Sequence, residues 1–258
     1  SNNDSIFHMH IPKTGGTFFW NYFKKLDHFK NINFIQNPHF KCDEEIDLYP
    51  DPTDSIPRNE LYQDQEGFEE SVKIAIVRNP FDWLLSWYNH SQGDPNWPWL
   101  YIAGVGGIRT IYNNFEDFVN AYCDDSKYWP GGLEAFRKFY PFQIFDSNGN
   151  CTADFIFLNG SDGELNKCCL VTSMLMGLSW DEAVKPINEK VFGRKSRSKS
   201  GKTQDYYSAE MYEKLYNKWK NILEVFNFDI GGLKNNQIIL NGNQLKYCKE
   251  ENRLWIKT

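Results

Sequence analysis

Lys13 heads the run Lys13-Thr14-Gly15-Gly16-Thr17, whose residue types suit the holding of a phosphate. Paired glycines let the backbone turn with its N–H groups exposed, a helix begun at Thr17 offers further N–H donors at its positive end, and lysine adds a point charge. A second grouping, Arg78-Asn79-Pro80 with Ser86 beyond it, suits the same ligand. Arg78 supplies a planar fork and Ser86 a hydroxyl donor, both fitted to a phosphate dianion, while Pro80 suits the first turn of a helix that carries Ser86. Taken singly, Arg78 reads as a surface residue and Ser86 as a tolerated helix serine; two such groupings at similar junctions give them a common task.

Those junctions need elements on either side. Residues 6–11 and 72–77 are apolar enough for strands, the first followed by a helix to about Phe29 and the second by a helix over 80–88. Residues 32–35 form a further candidate strand, and 37–57 read as loop, punctuated by Pro38, Pro50, Pro52 and Pro57. An aromatic, glycine-rich stretch over 91–107 precedes helical spacing at 115–119. Then come a strand over 153–158, a helix over 164–176 ending at Gly177, and a helix over 209–225 with Ser208 as its N-cap. This alternation predicts an α/β fold, a parallel central sheet flanked by helices on both faces, with phosphate sites at the carboxyl ends of its strands.

In the nucleotide triphosphatase loop, G-x-x-x-x-G-K-[ST], the lysine follows the glycines and a hydroxyl holds magnesium; here the lysine comes first. Pro12-Lys13-Thr14-Gly15-Gly16-Thr17 resembles the 5′-phosphosulfate loop of the sulfotransferases that use 3′-phosphoadenosine 5′-phosphosulfate (PAPS), in the P-K-T-G-G-T form of carbohydrate and natural-product enzymes. Arg78-Asn79-Pro80 through Ser86 and Tyr88 resembles the partner motif of the same family, R-[ND]-P-x-x-x-x-x-S-x-Y. The likeness spans most of residues 5–230 and implies a P-loop-NTPase-like sulfotransferase fold. It assigns Lys13, Thr14, Gly15, Gly16 and Thr17 to the 5′-phosphosulfate and Arg78 and Ser86 to the 3′-phosphate. Phe18 falls at the aromatic position against adenine, with first-turn core packing as its alternative. A basic, serine-bearing loop over 193–202, with Ser196, Arg197 and Ser198 as its contacts, would close over the nucleotide; a solvated basic loop is the alternative there.

The chemistry so implied is in-line sulfuryl transfer, with Lys13 stabilising the charge that grows on the bridging oxygen and no metal required. A hydroxyl acceptor needs a base. His39 lies where many relatives carry a histidine, a structural or exposed loop histidine being its other reading, and Glu44, Glu45, Asp47 and Asp94 are alternative bases. His8 and His10 are expected to support the loop rather than touch substrate.

Composition narrows the partners. With 258 residues, 41% of them hydrophobic, the chain can bury a sizeable core, and no low-complexity run divides it, which predicts a single domain over 1–258. A net charge of −6 and a pI near 5.4 argue against nucleic acid and against a dense polyanion as acceptor. They favour a small-molecule or natural-product acceptor, for instance a hydroxylated or guanidinium-bearing alkaloid, in a pocket lined by Asp94, Trp97, Trp99 and Tyr101, with simple core packing as the alternative for the tryptophans. A carbohydrate acceptor is the alternative within the family. Outside it stand an ATP-dependent phosphotransferase and an inactive nucleotide-binding protein on the same fold. The six cysteines lack zinc-ligand spacing, and adjacent Cys168 and Cys169 read as buried small hydrophobes, which favours a reducing, cytoplasmic setting. No membrane span or signal-like start is visible. The triplets at Asn89, Asn150 and Asn159 match the glycosylation pattern, as an asparagine-rich chain does by chance.

Overall fold

Strand β3 (Val72–Arg78) carries an unbroken apolar run, the pattern of a strand covered on both faces, and its Ile74, Ala75, Ile76 and Val77 are fully buried. The computed structural model containing it describes residues 5–9, 11, 14–26, 33–36, 67–90, 112, 114–124, 144–146, 148–160, 162–188, 202–235, 237–248, 251 and 253–257. On one side β3 pairs in parallel with β1 (Ser5–Met9), which in turn pairs in parallel with β2 (Asn33–Gln36). On the other side it pairs in parallel with β4 (Phe155–Asn159), so that Arg78 stands opposite Asn159 at the ends of the two strands.

Alternation along these strands sends successive side chains to opposite faces, and two separate cores result. Phe7, Met9, Ala75, Val77, Ile156 and Leu158 join one; Ile6, Ile74, Ile76 and Phe157 join the other. The first core is completed by α2 (Pro80–His90), α3 (Phe115–Cys123) and α6 (Ala209–Val225), through residues such as Trp83, Phe118 and Trp219. The second takes Phe19, Tyr22 and Phe23 from α1 (Gly16–Phe23) and Leu165, Cys168 and Cys169 from α4 (Asp162–Leu175), with Ile187 of α5 (Trp180–Asn188) packed against it. Helices therefore cover both faces, as the alternation of elements predicts.

Helix boundaries follow local chemistry. Ser208 caps α6 by accepting the Met211 N–H at 3.2 Å, and Met211, Leu215, Trp219, Ile222 and Leu223 form its buried stripe. Gly177, at φ 82°, closes α4: its N–H donates to Met174 and that of Leu178 reaches back to Ser173. Helix α1 is shorter than its sequence predicts, ending at Phe23 rather than near Phe29. After Lys24 the bonding tightens, with Lys25 donating to Tyr22 and Leu26 to Phe23, three residues back, which ends the helix.

The sheet departs from a wholly parallel one. A fifth strand, β7 (Ile239–Asn241), which follows the short pair β5 (Phe228–Asp229) and β6 (Gly232–Leu233), runs antiparallel against β4 at the edge. Beyond it β8 (Leu245–Cys248) and β9 (Arg253–Ile256) make a hairpin whose Leu245 and Leu254 enter the first core. Strands β7, β8 and β9, which follow residue 230 where the sequence offers no motif, are thus part of the packed structure. Cys151, Cys168 and Cys169 are buried, and no disulfide joins the described cysteines. Among the described residues no helix is long and apolar enough to cross a membrane.

Candidate active site

Because β1 and β3 are parallel neighbours, the turns leaving their carboxyl ends open at the same edge of the sheet. The first turn runs from β1 into α1. Thr14 is fully buried and its hydroxyl donates to the Ile11 carbonyl at 2.7 Å, which folds the turn inward and spends the hydroxyl proton within it. Gly15 follows at φ 108°, ψ 12°, as the N-cap of α1, and its carbonyl accepts the Phe19 N–H at 3.1 Å. Lacking a side chain, Gly15 leaves the first-turn N–H groups from Gly16 onward without a side-chain cap, which is the arrangement that receives an anion.

Gly15 is held by packing as well as by conformation. A methyl group there would lie 2.8 Å from Leu165 Cδ2 of α4 and 3.5 Å from the Asn159 amide nitrogen. Gly15→Ala should therefore lower stability by about 1–3 kcal/mol, the cost of a strained left-handed residue with a displaced neighbour. Urea denaturation checks this; a variant as stable as the wild type would mean that the turn relaxes freely.

The second turn joins β3 to α2. Asn79, fully buried, is the N-cap: its side-chain oxygen accepts the Phe81 N–H at 3.1 Å and its carbonyl accepts the Trp83 N–H at 2.9 Å. Pro80 then occupies the first helical position, where a missing N–H costs nothing. Arg78 is half-buried at the end of β3, and Ser86 half-buried on α2. Phe18 is half-buried against the second core, so part of its ring is spent on packing. His8 is fully buried, its ring 4.9 Å from that of Phe19 on α1, and His10 lies outside the described residues.

A third segment lands on the same corner. Thr203, in the short 3₁₀ turn Thr203–Tyr206, donates its hydroxyl to the Asp82 carboxylate in the first turn of α2, and the Tyr207 hydroxyl donates to the Phe81 carbonyl at 2.7 Å. Burial pushes the Tyr207 phenol well above its ordinary pKa, Asp82 raises it further and Arg78 opposes the rise, so the group remains a neutral donor. The chain that follows the basic loop is thereby pinned within one helical turn of Arg78.

Of the predicted site residues, Gly15, Gly16 and Arg78 come to the two neighbouring turns, and Ser86 lies nearly two turns along α2; Thr14 comes to the first turn with its hydroxyl turned inward, and Thr17 lies in the first turn of α1. Lys13, His39, Asp94, Trp97, Trp99, Tyr101, Ser196, Arg197 and Ser198 lie outside the described residues, as do Glu44, Glu45 and Asp47. Asn79, Asp82, Asn159 and Tyr207 were not singled out for the site by sequence reasoning. An Asn-Pro step before a helix is an N-cap signal that would have found Asn79. Asn159 carried only a glycosylation triplet, and its side chain is in fact buried and donates to the Thr14 carbonyl at 3.0 Å. Asn150 is similarly committed, to Asp146 and Lys246.

A protein-family model described as the sulfotransferase family matches residues 1–229. No curated protein matches the chain.

Proposed function

The chain belongs to the sulfotransferase family, and from that membership we propose that it moves a sulfuryl group from PAPS to a hydroxyl or amine of a small-molecule acceptor, acting as one catalytic domain. The observation that supports this reading is the opening of two turns side by side, one with first-turn N–H groups from Gly16 onward that no side chain of the N-cap residue covers and one with Arg78 at its start, followed by the helix that carries Ser86. A nucleotide with phosphate at both its 5′ and 3′ positions matches such a pair. The donor set also fits the ligand chemically, since N–H groups at a helix start and a guanidinium are strong partners for phosphate oxygens.

In this reading the first-turn N–H groups of α1 hold the 5′-phosphate, Arg78 and Ser86 hold the 3′-phosphate, and Lys13 neutralises the leaving oxygen. The acceptor oxygen or nitrogen forms its bond to sulfur as the bond from sulfur to the bridging phosphate oxygen breaks. The acceptor's proton passes to a base, for which His39 is our choice, and adenosine 3′,5′-bisphosphate (PAP) departs. Asp94, Trp97, Trp99 and Tyr101 are proposed to line the acceptor pocket, and the net charge of −6 favours a neutral or cationic acceptor over a sulfated glycan.

Calorimetric titration with PAP in the absence of metal tests the donor half of the proposal. Micromolar binding is expected, and Arg78→Ala should weaken it about 10- to 100-fold, the worth of a charge-assisted phosphate contact. Absence of binding by the folded wild type would refute a PAP site; unchanged binding by the variant would move the 3′-phosphate away from Arg78.

A further inference from the structure

Asn159 sits at the carboxyl end of β4, two strands away from β1 in the sheet order, yet it touches both turns of the site. Its side-chain amide crosses the end of β3 and donates to the Thr14 carbonyl at 3.0 Å. Its backbone carbonyl accepts the Asn79 N–H at 2.9 Å. Asn79 in turn uses its side chain to cap α2 through Phe81 and to reach the Asp229 carbonyl at 2.5 Å. Both asparagines are buried, at 7% and 0% exposure, so these bonds are shielded from competition by water.

The consequence lies in the planarity of the peptide. A trans peptide directs its C=O and N–H in opposite directions within one plane, so fixing the Thr14 carbonyl on Asn159 points the Gly15 N–H the opposite way, away from the Asn159 side chain. The same rule applied to the Arg78-Asn79 peptide, whose N–H is held by the Asn159 carbonyl, fixes the backbone that carries Arg78. One residue thus orients a donor in the first turn and the base of the cation in the second.

We infer that Asn159 is a positioning residue that sets the spacing between the two phosphate-binding turns, so that a nucleotide with phosphates at both ends is selected over one with a single phosphate. This rests on the donor site proposed above. A lone phosphate can be met by local adjustment of either turn, whereas two phosphates on one ligand require both turns to be held at the matching distance before binding.

Affinities of PAP and of adenosine 5′-monophosphate, measured by calorimetry on the wild type, Asn159→Ala and the near-isosteric, uncharged Asn159→Leu, test the inference. Both variants should bind PAP about tenfold more weakly while 5′-monophosphate affinity falls about twofold or less, the loss of one positioning hydrogen bond being felt where two subsites must be in register. Thermal denaturation of each variant shows which of them is folded at the titration temperature, and the leucine, of similar volume but with neither donor nor charge, carries the test where alanine is too unstable. Equal losses for the two ligands, or no loss for either, would overturn the inference. A folded wild type that binds no PAP at all would instead defeat the donor-site reading, and the inference with it.

Discussion

Lys13→Ala should lower turnover with PAPS by about 10²- to 10³-fold, roughly 2.7–4 kcal/mol of transition-state stabilisation, while PAP affinity falls far less. The asymmetry follows from where charge develops. In the bound donor the bridging oxygen shares its electrons with sulfur; as that bond breaks the oxygen takes on negative charge, and a cation aimed at it gains most in the transition state. In the donor site proposed above, the N–H groups after Gly15 would face a phosphate that is charged before, during and after transfer, so their contribution is closer to uniform binding. Lys13→Arg should recover little, because a planar fork does not replace a compact ammonium at one oxygen. Initial rates with a radiolabelled donor, set beside calorimetric PAP affinities and melting temperatures of the same preparations, separate the two terms. A variant with unchanged kcat and weakened PAP binding would make Lys13 a binding residue and leave the leaving-group charge to the backbone donors.

The parts of the site visible in the sequence are those whose signals are local. Gly15 and Gly16 announce a turn, Pro80 announces the start of α2, and Ser208 ahead of a regularly spaced apolar stripe marks α6, which begins and ends where its pattern does. The buried strand β3 is legible because its short apolar run Ile74-Ala75-Ile76-Val77 is rich in β-branched residues and is closed at once by Asn79-Pro80. What the sequence hides is held by distant contacts. The inward turn of the Thr14 hydroxyl depends on the Ile11 carbonyl, and the role of Asn159 depends on a carbonyl 145 residues earlier in the chain. The edge strand β7 is three residues long, too short for any period to show, and is a strand because β4 offers it an unpaired edge. Helix α1 stops early for a similar reason: nothing in Lys24-Lys25-Leu26 forbids a further turn, and the tightening of its last bonds is visible only in the folded chain.

The largest single effect on stability is expected at Phe81, which stands three residues after Arg78 and joins the site to the helix that covers it. Its side chain is fully buried, with ring centroids 5.4 Å from those of Tyr207, Tyr212 and Trp219, the second stacked and the others edge-on. Trp219 is held further by its indole N–H, which donates to the Tyr122 hydroxyl at 3.2 Å. Phe81→Ala removes the ring on which α6 and the Tyr207 segment converge, and the aromatic neighbours are too rigid to fill the space, so a loss of about 3–5 kcal/mol is expected. Phe81→Leu, which keeps much of the volume, should cost about half of that or less. Because the Phe81 carbonyl is also the acceptor for Tyr207, loosening here should reach Arg78, and PAP affinity should fall in the alanine variant even at temperatures where it remains folded. Urea titrations of the two variants, followed by PAP binding well below their midpoints, check both halves. A loss under about 1 kcal/mol for Phe81→Ala would show that the aromatic cluster repacks around the void, and undiminished PAP binding would separate the seat of α6 from the geometry of Arg78.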